Sequence, residues 1–309
     1  KNRILYKRSL FNNYIFTNRL RFNFTDMIEK KLLVCTFSGG RTSAFMAQLL
    51  KELPKYKEYE KLFVFANTGK EKEETLEFIN RCDKEWNLNI VWIEAKVIHE
   101  KGKGTTYKIV DFKTASRNGE PFIDMLNKYP LPNNFASNCT RELKQRPIEN
   151  FVKDLGYKEV LTAMGIRFDE RHRKSNTAKE QNIVYPLCDE LKVDNLFIRS
   201  WWSRQKFDLN LKDYEGNCDL CFKKSLRKRL TLIKENPNIA KWWLDTENKY
   251  STEAIPRYDL RTNKNIEELI ELSKKPFKTI KDVYELSKTQ GNLFEEELDL
   301  ETDCFCKAN

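Results

Sequence analysis

The sequence predicts an α/β fold with a mainly parallel sheet, followed by a helical, cysteine-bearing C-terminal lobe. Three observations carry this. Short apolar runs alternate with amphipathic segments through the first half of the chain. The first run delivers Ser38-Gly39-Gly40-Arg41-Thr42-Ser43 into a segment with helical spacing. From about Val193 the pattern turns helical, around Cys218-Asp-Leu-Cys221.

The elements follow in order. Residues 32–37 are a short apolar run, expected as a buried first strand. The glycine turn comes next, and residues 44–53 have helical spacing. Residues 61–66 form a second strand that ends at Asn67-Thr68-Gly69. Residues 71–86 are a polar amphipathic helix, and residues 89–94 a third strand. Strand, helix, strand, helix, strand implies right-handed crossovers and a parallel sheet. Residues 96–137 contain few strong apolar runs and are expected as a long insertion over the site. Residues 142–155 read as a helix, although a central Pro147 would break its ladder. Residues 158–164 are a further strand, ending at Gly165-Ile166-Arg167. The helical region includes Trp201-Trp202, residues 226–235, Trp242-Trp243 and residues 266–274. These tryptophans are expected to pack in a core, with base stacking as the alternative.

Three segments follow: 1–26 as an N-terminal extension, 27–192 as a nucleotide-binding α/β domain, and 193–309 as the helical lobe. Residues 1–26 hold six basic residues and one acid, immediately before Met27. They read as an upstream extension, with a basic nucleic-acid-binding arm as the alternative. The whole chain of 309 residues carries a formal charge of +10, which permits a nucleic-acid partner without requiring one. No stretch approaches 18 apolar residues, so no membrane partner is expected. Eight cysteines, CxxC spacing and no secretion signal point to a reducing, cytoplasmic setting and a metal site. His99 and His172 lack HExxH spacing, so zinc-dependent hydrolysis is not expected.

Two glycines after a strand let backbone N–H groups approach an anion, and the next helix adds its positive end. Ser38 and Ser43 can donate hydroxyl hydrogen bonds to phosphate oxygens, while Arg41 either joins them or faces solvent. No GxxxxGK[ST] loop occurs. The strand–SGGxxS–helix pattern resembles the pyrophosphate (PP) loop of the adenine-nucleotide alpha hydrolases, with Thr42 where an Asp is usual. Asn138-Cys-Thr-Arg-Glu-Leu-Lys144, Gly165-Ile-Arg-Phe-Asp-Glu170 and Gly216-Asn-Cys-Asp-Leu-Cys-Phe222 narrow the likeness. Together they resemble the phosphoadenosine phosphosulfate (PAPS) reductase family. The nearest branches in pattern are its phage and mobile-element members and the sulfur-transfer ATPases of DNA phosphorothioation.

The resemblance implies a Rossmann-like sheet that binds ATP or PAPS/adenylyl sulfate. Ser38, Gly39, Gly40, Thr42 and Ser43 would then hold phosphate, with Arg41 as a further candidate. Asn67 and Thr68 lie where this superfamily reads adenine or ribose. Arg167 would be a second phosphate clamp and a catalytic group, since a guanidinium fork suits phosphate. Arg141 and Lys144 are further candidates. Asp169 and Glu170 are candidates for Mg²⁺, with ion pairing or helix capping as the alternative.

Cys218-x-x-Cys221 lets two thiolates reach one metal centre. Cys304, Cys306 and Cys139 are possible partners. Cys139 opens a helix, where the dipole lowers a thiol pKa, and is the second catalytic candidate. Zinc on Cys218, Cys221, Cys304 and Cys306 is one reading. A [4Fe–4S] cluster on Cys139, Cys218, Cys221 and one tail cysteine is the other, and the family resemblance favours it. Cys35, Cys82 and Cys188 read as core residues. The expected reaction is attack on the α-phosphate of ATP, loss of pyrophosphate, and sulfur transfer to the activated acceptor. Nucleic acid is a candidate acceptor, and a cysteine desulfurase a candidate sulfur donor. A true PAPS or adenylyl-sulfate reductase and a non-catalytic nucleotide- or nucleic-acid-binding module with structural zinc are the alternatives.

Overall fold

A computed structural model describes residues 31–280, except 134, 217 and 258–261. Six strands form one sheet in the order β4-β3-β2-β1-β5-β6. They are β1 (Lys31–Thr36), β2 (Tyr59–Asn67), β3 (Val91–Val97), β4 (Thr105–Val110), β5 (Glu159–Ala163) and β6 (Ile183–Val184). All neighbours run parallel except β3 and β4. The central strands are covered on both faces, which is why they read as unbroken apolar runs.

Alternate residues of β1 face opposite layers. Leu33 and Cys35 pack with Phe63, Phe65 and Trp92 against α1 (Arg41–Leu50) and α2 (Glu73–Trp86). Leu32 and Val34 pack with Leu62, Val64 and Ile93 against Phe151 and Leu155 of α4 (Arg146–Leu155). The sheet order reverses at β1, with β2 on one side and β5 on the other. Such a switch point opens a crevice beyond the strand ends, and ligands of open α/β sheets bind there.

Residues 96–137 are more regular than expected. They supply β4 and α3 (Glu120–Leu126). The strand Thr105–Val110 escapes an apolar-run search because only Thr105 in it is fully buried. The segment expected as one helix over 142–155 is composite. A turn at Asn138–Thr140 leads into a π-helical turn at Arg141–Gln145 and then α4. Pro147 is the second residue of α4 and directly follows the π-helical turn, so the helix changes its hydrogen-bond pattern where the proline enters.

The C-terminal elements pack against two different cores. Ile198 and Trp202 of α5 (Asn195–Trp202), with Phe207, Leu209 and Leu211, join the core over α1 and α2. Trp86, Trp201, Trp202 and Phe207 form an aromatic cluster of tilted and edge-to-face contacts there. The helices α6 (Leu226–Glu235), α7 (Ile239–Tyr250) and α8 (Ile266–Lys274) form a second core with α3 and Leu143. The extension 1–26, Cys304 and Cys306 lie outside the described residues. Among the described residues, no helix is long and apolar enough to cross a membrane.

Candidate active site

The loop leaving β1 lines a cavity at the switch point, together with Gly165, Ile166 and Arg167 from the end of β5. Its two glycines do different work. Gly39 has φ +84, and a Cβ there would lie 2.5 Å from Thr75 Cγ2 and 3.1 Å from Ile79 Cδ1. Only glycine fits that turn against α2. Gly40 has φ −96 and is the N-cap of α1, without a side-chain cap. A Cβ on Gly40 would meet no protein atom closer than Ser38 Oγ, 3.8 Å away. The space before the first turn of α1 is therefore open, and that turn presents its unpaired N–H groups.

Ser43 holds the loop in shape. Its hydroxyl accepts from the Ser38 N–H at 3.2 Å and from Ser38 Oγ at 2.9 Å. Its own proton goes to the Gly40 carbonyl at 2.9 Å. Ser43 thus positions the cradle more than it offers a proton to a ligand. Arg41 donates to both Asp208 oxygens, at 2.7 and 3.0 Å, and to the Leu209 carbonyl at 2.6 Å. Its guanidinium is committed to the strap after α5 and forms the cavity wall.

Arg167 is buried and spans the loop and the acids after β5. It donates to Thr42 Oγ1 at 3.1 Å and makes a fork on Asp169, at 3.1 Å to each oxygen. Glu170 lies 3.4 Å away and is also paired with Arg173. Both carboxylates expected to hold Mg²⁺ are thus occupied by guanidinium groups. Thr42, at the usual Asp position, gives Arg167 a neutral hydroxyl acceptor on the loop. Five basic side chains line the cavity: Arg41, Arg167, Arg173, Arg199 and Lys212. The acids lining it are Glu170 and Asp213, so the wall favours an anion. Arg173, Arg199 and Lys212 carry no motif of their own. Only the fold brings them to the loop.

A second polar centre lies at the end of β2. Asn67 is fully buried and gives its amide protons to Glu94 Oε1 at 2.6 Å and the Ser116 carbonyl at 2.8 Å. Thr68 is also buried, and its hydroxyl meets Cys218 Sγ at 3.6 Å. These side chains brace the loop that the C-terminal lobe covers. Glu71 accepts from the Thr68 hydroxyl and N–H, at 2.8 and 2.9 Å, and Lys144 Nζ lies 3.8 Å from its other oxygen. Three separate motifs, those of Thr68, Lys144 and Cys218, thereby converge. Sequence reasoning missed Glu71. Its one signal is an acid three residues after Thr68, before the helix begins.

Cys218, Cys221 and half-buried Cys139 belong to the same apolar cluster. Among the described residues, no three His, Cys, Asp or Glu side chains stand close enough to hold one metal ion. Cys139, Cys218 and Cys221 are the described members of the expected ligand set, and Cys304 and Cys306 lie outside the described residues. Arg141 pairs with Glu142 at 2.7 Å, at the start of the π-helical turn. Cys35, Cys82 and Cys188 are buried, and burial pushes all three thiols up from the ordinary cysteine range.

Lys224 is buried beside the cysteine turn and donates to the carbonyls of Asp219, at 3.0 Å, and Glu215, at 3.3 Å. Burial lowers its pKa to about 8. An unfolded lysine keeps its proton to about pH 10.4. Between these values the unfolded chain binds more protons, so rising pH favours the folded state. Wild type should therefore gain up to about 3 kcal/mol over Lys224→Met as pH rises from about 8 to about 10.4. Denaturant unfolding at several pH values checks this, and a pH-independent difference between the two proteins would contradict it.

The open glycine turn lies at a helix N-terminus and at the switch point of a mainly parallel sheet, which is where open α/β folds take ligands. Residues 32–184 match the phosphoadenosine phosphosulfate reductase domain. The chain is 32% identical over 199 residues to a nin-region protein, ORF290, of Escherichia phage lambda, covering 63% of this chain and 67% of that one. The chain belongs to the phosphoadenosine phosphosulfate reductase family. An uncharacterised protein of Methanocaldococcus jannaschii is 23% identical over 236 residues, which span 72% of this chain but only 42% of that protein. A crystal structure of PAPS reductase from Candida auris, in a phosphate complex, shares 14% identity at a TM-score of 0.35, covering 64% of this chain and 87% of that one.

Proposed function

We propose that the chain binds ATP, or an adenylyl sulfate, with its phosphates in the 38–43 loop, and couples α-phosphate chemistry to sulfur transfer. One observation carries this reading. The open face of Gly40 looks into a cavity lined by five basic side chains, and Gly216, in its wall, stands two residues before Cys218. Cys218 thus follows the cavity wall by two residues of chain.

An acceptor oxygen attacks the α-phosphorus, and its bond to the β-phosphate bridging oxygen breaks. The charge that develops on the departing pyrophosphate is met by loop N–H groups, Arg167 and Arg173. A sulfur nucleophile then displaces AMP from the activated acceptor. The net charge of +10 permits a nucleic-acid acceptor, and a cysteine desulfurase has suitable chemistry as donor.

The test offers the protein ATP with candidate acceptors and a sulfide source, and separately PAPS with a dithiol reductant. Acceptor-dependent release of pyrophosphate and AMP from ATP is the expected result. Sulfite release from PAPS, with ATP left intact, would replace this reading by the reductase one. Nucleotide binding without turnover of either would favour a binding module.

A further inference from the structure

We propose that Arg199 is a second anion clamp of the cavity and that Asp213 is its displaceable counter-ion, so that the site selects ligands with two or more linked anionic groups. This rests on the phosphate reading of the 38–43 loop and names the class of ligand that the loop and the α5 wall take together.

The two acids of the cavity wall are held differently. Glu170 is buried and sits between Arg167 and Arg173. Asp213 belongs to the strap after α5, and its side chain is 31% exposed. One of its oxygens pairs with Arg199 Nη2, and the other lies 3.6 Å from Arg41 Nη1. A carboxylate that bridges two guanidinium groups at a cavity wall takes the place that a phosphate would. Arg41 does not depend on it, since its fork on Asp208 and its hydrogen bond to the Leu209 carbonyl remain. Arg199 does. Among the described residues its guanidinium has no other hydrogen-bond or ion-pair partner, and it is only 18% exposed. The strap itself has other anchors. Phe207, Leu209 and Leu211 are buried in the core over α1 and α2, and Glu215 is tied to Lys72. The Asp213 side chain can therefore leave Arg199 while the strap backbone stays in place.

The two clamps serve different parts of a ligand. Arg167 reaches the loop through Thr42, whereas Arg199 reaches from α5 to the strap. A single phosphate seated on Gly40 leaves Arg199 with Asp213, and the Asp213 charge opposes it. A second phosphate or a sulfate joined to the first is delivered to Arg199 at high effective concentration and displaces the carboxylate. Arg199 stays paired in both states, so the exchange leaves no buried charge without a partner. Lys212, in the same wall, adds positive charge for the incoming group. Asp213 thus discriminates against ligands too weakly anionic to replace it.

Calorimetric titration with inorganic pyrophosphate and with orthophosphate tests this in wild type, Asp213→Asn, Arg199→Gln and the double variant. Asparagine keeps a carbonyl acceptor for Arg199 but removes the competing charge. Asp213→Asn should therefore tighten pyrophosphate by about fivefold. Arg199→Gln should cut the preference for pyrophosphate over orthophosphate by about tenfold or more. In the double variant the gain from Asp213→Asn should vanish. Asp213→Asn carries the test alone if Arg199→Gln does not fold. Unchanged or weaker pyrophosphate binding in a folded Asp213→Asn protein would overturn the proposal. So would an equal gain in the Arg199→Gln background, which would make Asp213 a general repulsive charge. Gly40→Val separates this inference from the loop reading. Pyrophosphate binding that is lost in Gly40→Val but indifferent to Asp213→Asn removes the Arg199 clamp alone. Pyrophosphate binding that survives Gly40→Val removes the loop reading and the clamp with it.

Discussion

Gly40→Val should leave a folded protein that no longer binds the phosphates of its nucleotide, whereas Gly39→Ala should unfold more readily. The backbone at Gly40 is extended, with φ −96 and ψ 163, and β-branched residues accept that conformation. Its Cβ meets no protein wall. The stability cost should be about 1 kcal/mol or less, mainly from a poorer N-cap. Inside the cradle, the valine methyls would occupy the space that phosphate oxygens need. Loss of two or three N–H contacts corresponds to at least about 100-fold in Kd. Gly39 reverses the pattern, since φ +84 penalises any Cβ and Thr75 stands 2.5 Å from it. Strain and overpacking together should cost about 2–5 kcal/mol. Chemical denaturation and calorimetric titration with ATP check both variants. Equal nucleotide affinity in Gly40→Val and wild type would refute the cradle.

Arg167→Ala should have the second-largest effect. Arg167 joins Thr42 on the loop to Asp169 and Glu170. Its removal leaves Asp169 without its fork, while Arg173 still covers Glu170. Asp169 is a quarter exposed, so the stability loss should stay near about 2 kcal/mol. Loss of charge beside the phosphates should lower nucleotide turnover by about 100-fold or more. Arg167→Lys keeps the charge but not the fork, and should recover stability better than turnover. Steady-state kinetics beside thermal unfolding separates the two effects. Full turnover in Arg167→Ala would remove Arg167 from the chemistry.

The parts of this molecule that were legible in the sequence are those whose physics is local. Ser38-Gly39-Gly40 follows an apolar strand and precedes a helix, so cradle, turn and dipole lie within one short stretch. The parallel core strands announce themselves because both faces are covered. By contrast, Thr105–Val110 is an antiparallel edge strand with little burial, and no apolar run marks it. Distance along the chain hid the rest. Thr68 and Cys218 are 150 residues apart, and Arg41 and Asp208 are 167 apart. Arg173, Arg199 and Lys212 are ordinary surface residues in one dimension and cavity walls in three. Asn67, expected where adenine or ribose is read, gives its amide protons to Glu94 and the Ser116 carbonyl, partners far from it in the chain.

Pyrophosphate competition against a fluorescent ATP analogue tests the phosphate cradle most directly. The loop and its basic wall recognise phosphate groups, so pyrophosphate should displace the analogue far better than adenosine does. Displacement should weaken as salt rises, because the cavity attracts an anion. Displacement by adenosine with indifference to pyrophosphate would contradict a phosphate site at Ser38–Ser43, as would failure of the analogue to bind at all.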